Sequence, residues 1–175
     1  DDMGDGLARS ETVYISSKAH LNLSFNLCQC GLTSIWRGGG LDVGSEDLFV
    51  LCYVNRGSVS LRYDRIGFRI AAGQGFFILP DTICSVQNME QEIVEVVWTT
   101  FTGYEVETYL GRANIFRSGP VFSDPEGKLG KLINRMYQTS QQFPNRYCKM
   151  MSDMYMVFYE LLAANPQGQP KSYID

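Results

Sequence analysis

The stretch that decides the fold runs from Asp47 to Phe101: DLFVLCYVNRGSVSLRYDRIGFRIAAGQGFFILPDTICSVQNMEQEIVEVVWTTF. It is a series of short apolar runs divided by turn residues. Leu48 to Val54 is followed by Asn55-Arg56-Gly57 and then Ser58 to Tyr63. Asp64-Arg65-Ile66-Gly67 leads to Phe68–Ala71, and Ala72-Gly73-Gln74-Gly75 to Phe76–Leu79. Pro80-Asp81-Thr82 precedes Ile83–Gln87, and Glu92 to Phe101 closes the series. Runs this short are below the usual helix length. Val, Ile, Phe, Tyr and Thr between Gly and Pro breaks read as successive antiparallel strands. Five or six such strands must close into a barrel or pack as two sheets, because one flat sheet would leave its edges open. The expected fold is therefore mainly β, a sandwich or small barrel.

The last run names the inside of that barrel. Val94, Val96, Trp98 and Thr100 share one face, while Ile93, Glu95, Val97, Thr99 and Phe101 share the other. Neither face is polar, so one should line the interior and the other pack beneath the C-terminal helices. An indole beside a hydroxyl suits a small organic ligand; Trp98 as simple core filling is the competing reading. Cys52 and Cys84 are both placed to face inward.

Working outward toward the N-terminus, Asp1 to Ser10 is polar and reads as disordered. Thr12–Ser16 reads as a short strand. Leu21 to Leu27 alternates apolar with polar like a half-buried strand, which Cys28–Ser34 continues. Trp36-Arg37-Gly38-Gly39-Gly40 then breaks into a loop where the glycines let the backbone approach something closely. Trp36 and Arg37 either line a pocket or plug the end of the core.

Beyond Phe101 the period changes. Gly103–Leu110 reads as a short helix. Asp124-Pro125-Glu126 opens another, with Asp as N-cap and Pro at the first helical position. Leu129, Leu132, Ile133, Met136 and Tyr137 form its stripe. Phe143-Pro144-Asn145 is a break, and a second long helix follows from Arg146 to Ala164. Tyr147, Met151, Met154, Phe158, Leu161 and Leu162 fall along one side of it, with Met150 and Val157 widening the apolar surface. That breadth predicts a homodimer contact. The boundaries that follow are 1–10 (disordered), 11–104 (barrel), 105–164 (helical pairing segment) and 165–175 (linker).

Composition excludes several classes. At 175 residues with 45% hydrophobic content, the chain reads as one domain, or one domain with a helical appendage, and needs no disulfide or metal to hold it. A net charge of −4 without basic clusters makes the chain a poor nucleic-acid binder by itself. No apolar run is long enough for a membrane span, and no signal peptide is evident. The five cysteines lack a framework spacing and read as reduced cytoplasmic thiols. The single histidine, His20, precedes the barrel, with no Ser or Cys motif to match it. Gly73-Gln74-Gly75 joins strands rather than opening a helix, so it is no phosphate loop. Glu90, Glu92 and Glu95 read as a solvated face. No cofactor and no metal is expected.

Leu51-Cys52-Tyr53-Val54, Arg56-Gly57, Phe68 through Pro80 (FRIAAGQGFFILP) and Val97 through Gly103 (VWTTFTG) together resemble the amino-terminal effector domain of AraC/XylS-type bacterial transcription regulators. Cys30-Gly31-Leu32-Thr33 resembles that family's first barrel strand, and the two C-terminal helices match in position. The resemblance covers roughly Leu27 to Ala164. It implies a cupin-like barrel holding a small effector, usually a sugar, followed by two antiparallel helices through which subunits pair. Contact with DNA would come only through a helix-turn-helix domain beyond Asp175.

Carried over residue by residue, Thr33 and Trp98 fall where sugar-binding members set a hydroxyl and an indole against the ligand. Val86 and Val96 fall where some members carry Tyr and His, which predicts a less polar effector. The expected ligand-binding set is thus Thr33, Trp36, Arg37, Cys52, Val86, Val96, Trp98 and Thr100. Enzymatic cupins hold a metal through His and Glu, and neither Gly57–Gly75 nor Pro80–Val86 contains His, so a regulatory domain is favoured over a cupin isomerase or dioxygenase. A third reading is a pairing module whose barrel is filled by Trp36, Trp98, Phe49, Phe77 and Tyr53.

Overall fold

A computed structural model describes residues 7–16, 24–116, 119–142 and 146–164. The strands are β1 (Ala8–Tyr14), β2 (Asn26–Ile35), β3 (Gly40–Ser45), β4 (Phe49–Arg56), β5 (Ser58–Tyr63), β6 (Ile66–Ala71), β7 (Gln74–Ile78), β8 (Thr82–Gln87), β9 (Val94–Thr102) and β10 (Val121–Ser123). The helices are α1 (Tyr104–Arg112), α2 (Lys128–Ser140) and α3 (Arg146–Ala164). Every apolar run of the central stretch is a strand. The β5–β6 turn is tight, with Asp64 and Arg65 both at positive φ (46° and 67°), the backbone that a two-residue hairpin of the right twist requires.

The strands form two antiparallel sheets. One has six strands in the order β1-β2-β9-β4-β7-β10, the other four in the order β3-β8-β5-β6. Because successive side chains point to opposite faces, the six-stranded sheet is apolar on both sides. Val50, Cys52 and Val54 of β4, with Val94 and Val96 of β9, face the smaller sheet and meet Val59, Leu61, Ile70, Cys84 and Val86 there. Phe49, Leu51 and Tyr53 of β4, with Val97 and Phe101 of β9, face the helices. Phe101 is the centre of that second core, stacked on Phe49 at 5.8 Å between ring centroids and edge-on to Phe158 at 6.2 Å. The architecture is a cupin-like two-sheet barrel followed by helices, as expected.

Three expectations are corrected. Ala8 to Ser10, assigned to a disordered start, belong to β1 and pair with Ile35, Ser34 and Thr33. Gly40, assigned to the loop after Trp36, instead opens β3, a strand the sequence reading left unassigned, because backbone pairing with β8 offsets the poor strand propensity of Gly40, Gly44 and Asp42. The pairing surface assigned to α3 is also revised. Met154, Phe158 and Leu161 are buried within the chain's own core, and Tyr147, Met151 and Leu162 pack against it. The helix lies against α1, α2 and β2 together, so three neighbours absorb a breadth that had implied a second copy. Large side chains left exposed on α3 are Tyr155, Met156 and Tyr159. His20, Leu21–Leu23, the break at 143–145 and the tail from residue 165 lie outside the described residues.

One carboxylate ties the helical layer to the barrel. Asp124 was expected to cap a helix starting at Pro125, but α2 begins at Lys128, after Gly127 in a left-handed conformation. Asp124 still caps it from a distance: Oδ1 accepts the Leu129 N–H (3.1 Å) and Oδ2 the Gly130 N–H (2.8 Å). Oδ2 also accepts the Tyr53 hydroxyl at 2.8 Å. Gly130 sits so near the Tyr53 ring that a Cβ there would lie 2.6 Å from its hydroxyl. Burial, then the hydrogen bond to Asp124 and its charge, raise the Tyr53 phenol well above its ordinary value of 10.0. A second clasp joins α2 to α3, where the Arg135 guanidinium donates to both oxygens of buried Asp153 (2.6–3.1 Å).

Asp124→Ala leaves two amide N–H groups and a phenol unpaired, and should lower stability in urea by about 3 kcal/mol. A loss below about 1 kcal/mol would contradict the pinning role. The raised Tyr53 phenol favours the folded state fully below about pH 10, and this contribution fades as pH climbs above it; Tyr53→Phe should flatten the alkaline limb of the stability curve. Met154→Glu, a charge in the core, should destabilise the chain by at least about 3 kcal/mol. A stably folded Met154→Glu protein that merely changes its oligomeric state would restore the original assignment.

Candidate functional site

Between the two sheets lies a cavity of about 350 Å³. Its floor is the inner face of the six-stranded sheet: Gln29, Thr33 and Ile35 from β2, Val96, Trp98 and Thr100 from β9, Val50 and Cys52 from β4, and Phe76 from β7. The opposite wall comes from β3 (Leu41 to Ser45) and Val86 of β8, with Ser10 and Leu48 completing the lining. Cross-strand register explains the grouping. Gln29 pairs with Thr100, Gly31 with Trp98 and Thr33 with Val96 across β2 and β9. Val50 pairs with Thr100 and Cys52 with Trp98 across β4 and β9.

Trp98 is held rather than free. Its Nε1–H donates to Thr33 Oγ1 at 2.9 Å, and the Thr33 hydroxyl is also bonded to Ser10 Oγ at 2.7 Å. Gly31 lies directly against the indole, where a Cβ would overlap the ring. The three polar groups at this end of the floor thus satisfy one another. At the other end the Thr100 hydroxyl is buried and has no hydrogen-bond partner, the one such side-chain atom among the described residues.

Of the eight residues expected to bind ligand, Thr33, Cys52, Val86, Val96, Trp98 and Thr100 line the cavity together. Trp36 and Arg37 do not. They occupy the turn before β3, where the Trp36 N–H donates to the Leu7 carbonyl (2.7 Å) and the indole remains 37% exposed. The glycines after them do serve close approach: a Cβ on Gly40 would lie 2.7 Å from the Val86 carbonyl oxygen. Phe49, Phe77 and Tyr53, named above as possible filling for the barrel, belong instead to the core beneath the helices. Sequence reasoning missed Gln29, Val50 and Phe76. Gln29 was within reach, being four residues before Thr33 on the same strand face.

The cavity's thiol is not poised for chemistry. Burial, then the neighbouring Cys84, raise the Cys52 thiol far above its ordinary value, and burial pushes Cys84 up to about 11. A thiol so placed stays protonated at neutral pH, and the thiolate is the nucleophile and metal ligand. Among the described residues, no three His, Cys, Asp or Glu side chains converge as a metal site would require. No helix among them is long and apolar enough to cross a membrane.

The fold and cavity define a ligand-binding domain of the two-sheet barrel type. The AraC-like ligand binding domain family matches residues 42–147, more than half of the chain, and the chain belongs to that family. No curated protein matches it in sequence. It is similar in structure to the cupin domain of Schizosaccharomyces pombe Cnp3, at 15% identity and a TM-score of 0.46 over 58% of this chain and 68% of that one. It is also similar to the Cupin_2 domain of an XRE family transcriptional regulator from Enterobacter cloacae (11%, TM-score 0.45, 54% and 95% covered). KdgF from Halomonas sp. is a third (12%, TM-score 0.44, 61% and 88% covered).

With Cys28, Cys30, Cys52 and Cys84 buried and Cys148 exposed, Ellman's reagent at pH 8 should label one thiol per chain quickly and the rest only on unfolding. Rapid labelling of two or more would mean that the barrel opens in the native state.

Proposed function

We propose that the chain is the effector-sensing domain of a transcription regulator, taking a small organic molecule into the cavity between its two sheets. The observation that carries this reading is the cavity itself, which has the size of small-ligand sites and a mostly apolar lining, within a chain of the AraC-like ligand binding domain family. Binding is the role, not catalysis: the cavity holds a protonated thiol, hydroxyls and an amide, and its one charged side chain, Asp42, is exposed on β3. A sugar is the ligand that the family resemblance implies; the apolar Val86 and Val96 favour a less polar metabolite.

Pairing of two copies and contact with DNA through a further domain belong to the same proposal. For pairing, Tyr155, Met156 and Tyr159 are the side chains of α3 available to a partner. Met156→Glu should then shift the sedimentation of a dimer toward monomer without lowering the melting temperature. Unchanged sedimentation would place the contact elsewhere.

The sensing role is tested by thermal unfolding with a panel of monosaccharides and small neutral metabolites. A compound bound only by the folded state, at about a hundred times its Kd, adds about 2.7 kcal/mol. Val86→Phe, which fills the cavity from the smaller sheet, should abolish that shift while the protein stays folded. A shift that survives Val86→Phe would move the ligand site out of the barrel.

A further inference from the structure

Two polar side chains on the cavity floor are unused. Thr100 is 6% exposed and its hydroxyl has no partner. Gln29 pairs with it directly in the β2–β9 register, and the Gln29 carboxamide makes no hydrogen bond among the described residues. Directly opposed residues on neighbouring strands bring their Cβ atoms to about 4.5–5.5 Å, so hydroxyl and carboxamide belong to one small polar corner. Folded proteins seldom leave such a buried group unpaired, and an exception calls for an explanation.

The rest of the floor sets the character of what could fill that corner. The other polar groups of the inner face, Ser10, Thr33 and the Trp98 indole N–H, are engaged with one another. Around them stand Ile35, Val50, Phe76, Val86 and Val96. A hexose would turn most of its hydroxyls toward these apolar side chains and lose their hydration without replacement. No lysine or arginine lines the cavity, so a carboxylate would be buried without a countercharge; the one carboxylate of the lining, Asp42, is exposed on β3 and solvated, so it offers an amine only a screened partner.

We propose that Gln29 and Thr100 form the recognition end of the cavity, and that its ligand is a small uncharged molecule, mostly hydrocarbon, bearing a single hydroxyl, carbonyl or amide group. This rests on the reading of the cavity as the effector site. The Thr100 hydroxyl offers one donor and two acceptor positions and the Gln29 carboxamide both donors and an acceptor, which together complement one compact polar group. The hydrocarbon part of the ligand lies along Val50, Phe76 and Val86.

The test compares rings of one size with different polar groups: cyclohexanol, cyclohexanecarboxamide, cyclohexanecarboxylate, cyclohexylamine and D-glucose, titrated into the 175-residue chain and followed by NMR. Cyclohexanol and cyclohexanecarboxamide should bind at least tenfold more tightly than the carboxylate, the amine or glucose. Thr100→Val should weaken cyclohexanecarboxamide about tenfold, with the empty variant melting no lower than the parent protein. Gln29→Leu should act in the same direction, and Thr100→Ser should retain binding. Glucose binding more tightly than cyclohexanol, unaffected by Thr100→Val, would overturn this inference and leave the sensing role standing. Preference for the amine or the carboxylate would overturn it too. Failure of all five rings to bind, together with no metabolite shift sensitive to Val86→Phe, would overturn the sensing role and this inference with it.

Discussion

The structure depends on a sheet that is apolar on both faces. In β4 and β9, side chains alternate between two cores one residue apart: Cys52 faces the cavity and Tyr53 the helices, and so do Trp98 and Val97. Such a sheet needs two covers. The four-stranded sheet supplies one, and α1, α2 and α3 supply the other. The cavity exists because the first cover does not fill its side completely, whereas the second closes tightly around Phe101 and its aromatic neighbours. A strand with the cavity on one face and the helix seat on the other also places the two layers in mechanical contact. Tyr53, Asp124 and the first turn of α2 form a hydrogen-bonded link one residue away from the cavity lining.

How much of this was legible in the sequence depends on how local each signal was. The apolar runs between Asp47 and Phe101 carried their own turns, and the two faces of β9 followed from strict alternation. Three strand segments held by partners distant in the chain were not legible. β3 has the composition of a loop and exists through its ladder to β8, β10 is three residues on the edge beside β7, and the polar start of β1 is a strand only through its pairing with β2. The α3 stripe was read correctly as apolar, but Met154, Phe158 and Leu161 are buried in the chain's own core, because the sequence does not count the neighbours a helix will have. Asp124 was recognised as a cap, but its reach across Gly127 to Leu129 and Gly130 depends on a backbone turn that propensity does not reveal.

The candidate site was legible in its membership more than in its chemistry. Six of the expected residues meet in one cavity, yet the pair expected to hold the ligand, Thr33 and Trp98, is largely engaged internally through their mutual hydrogen bond and Ser10. The unsatisfied group is Thr100, two residues along the same strand face. Such a distinction rests on a hydrogen-bond inventory and not on residue type. It also changes the expected ligand, since a cavity whose indole N–H and threonine hydroxyl are already spent offers a polyol little to hold.

The central claim, that the space between the sheets is a ligand site read by its floor, is tested most directly by a high-resolution crystal structure of the protein purified from its own cells without added ligand. The account predicts ordered non-protein density in the cavity with a polar atom within hydrogen-bonding distance of Thr100 Oγ1. A cavity closed by its own side chains, with the Thr100 hydroxyl bonded to protein, would contradict it.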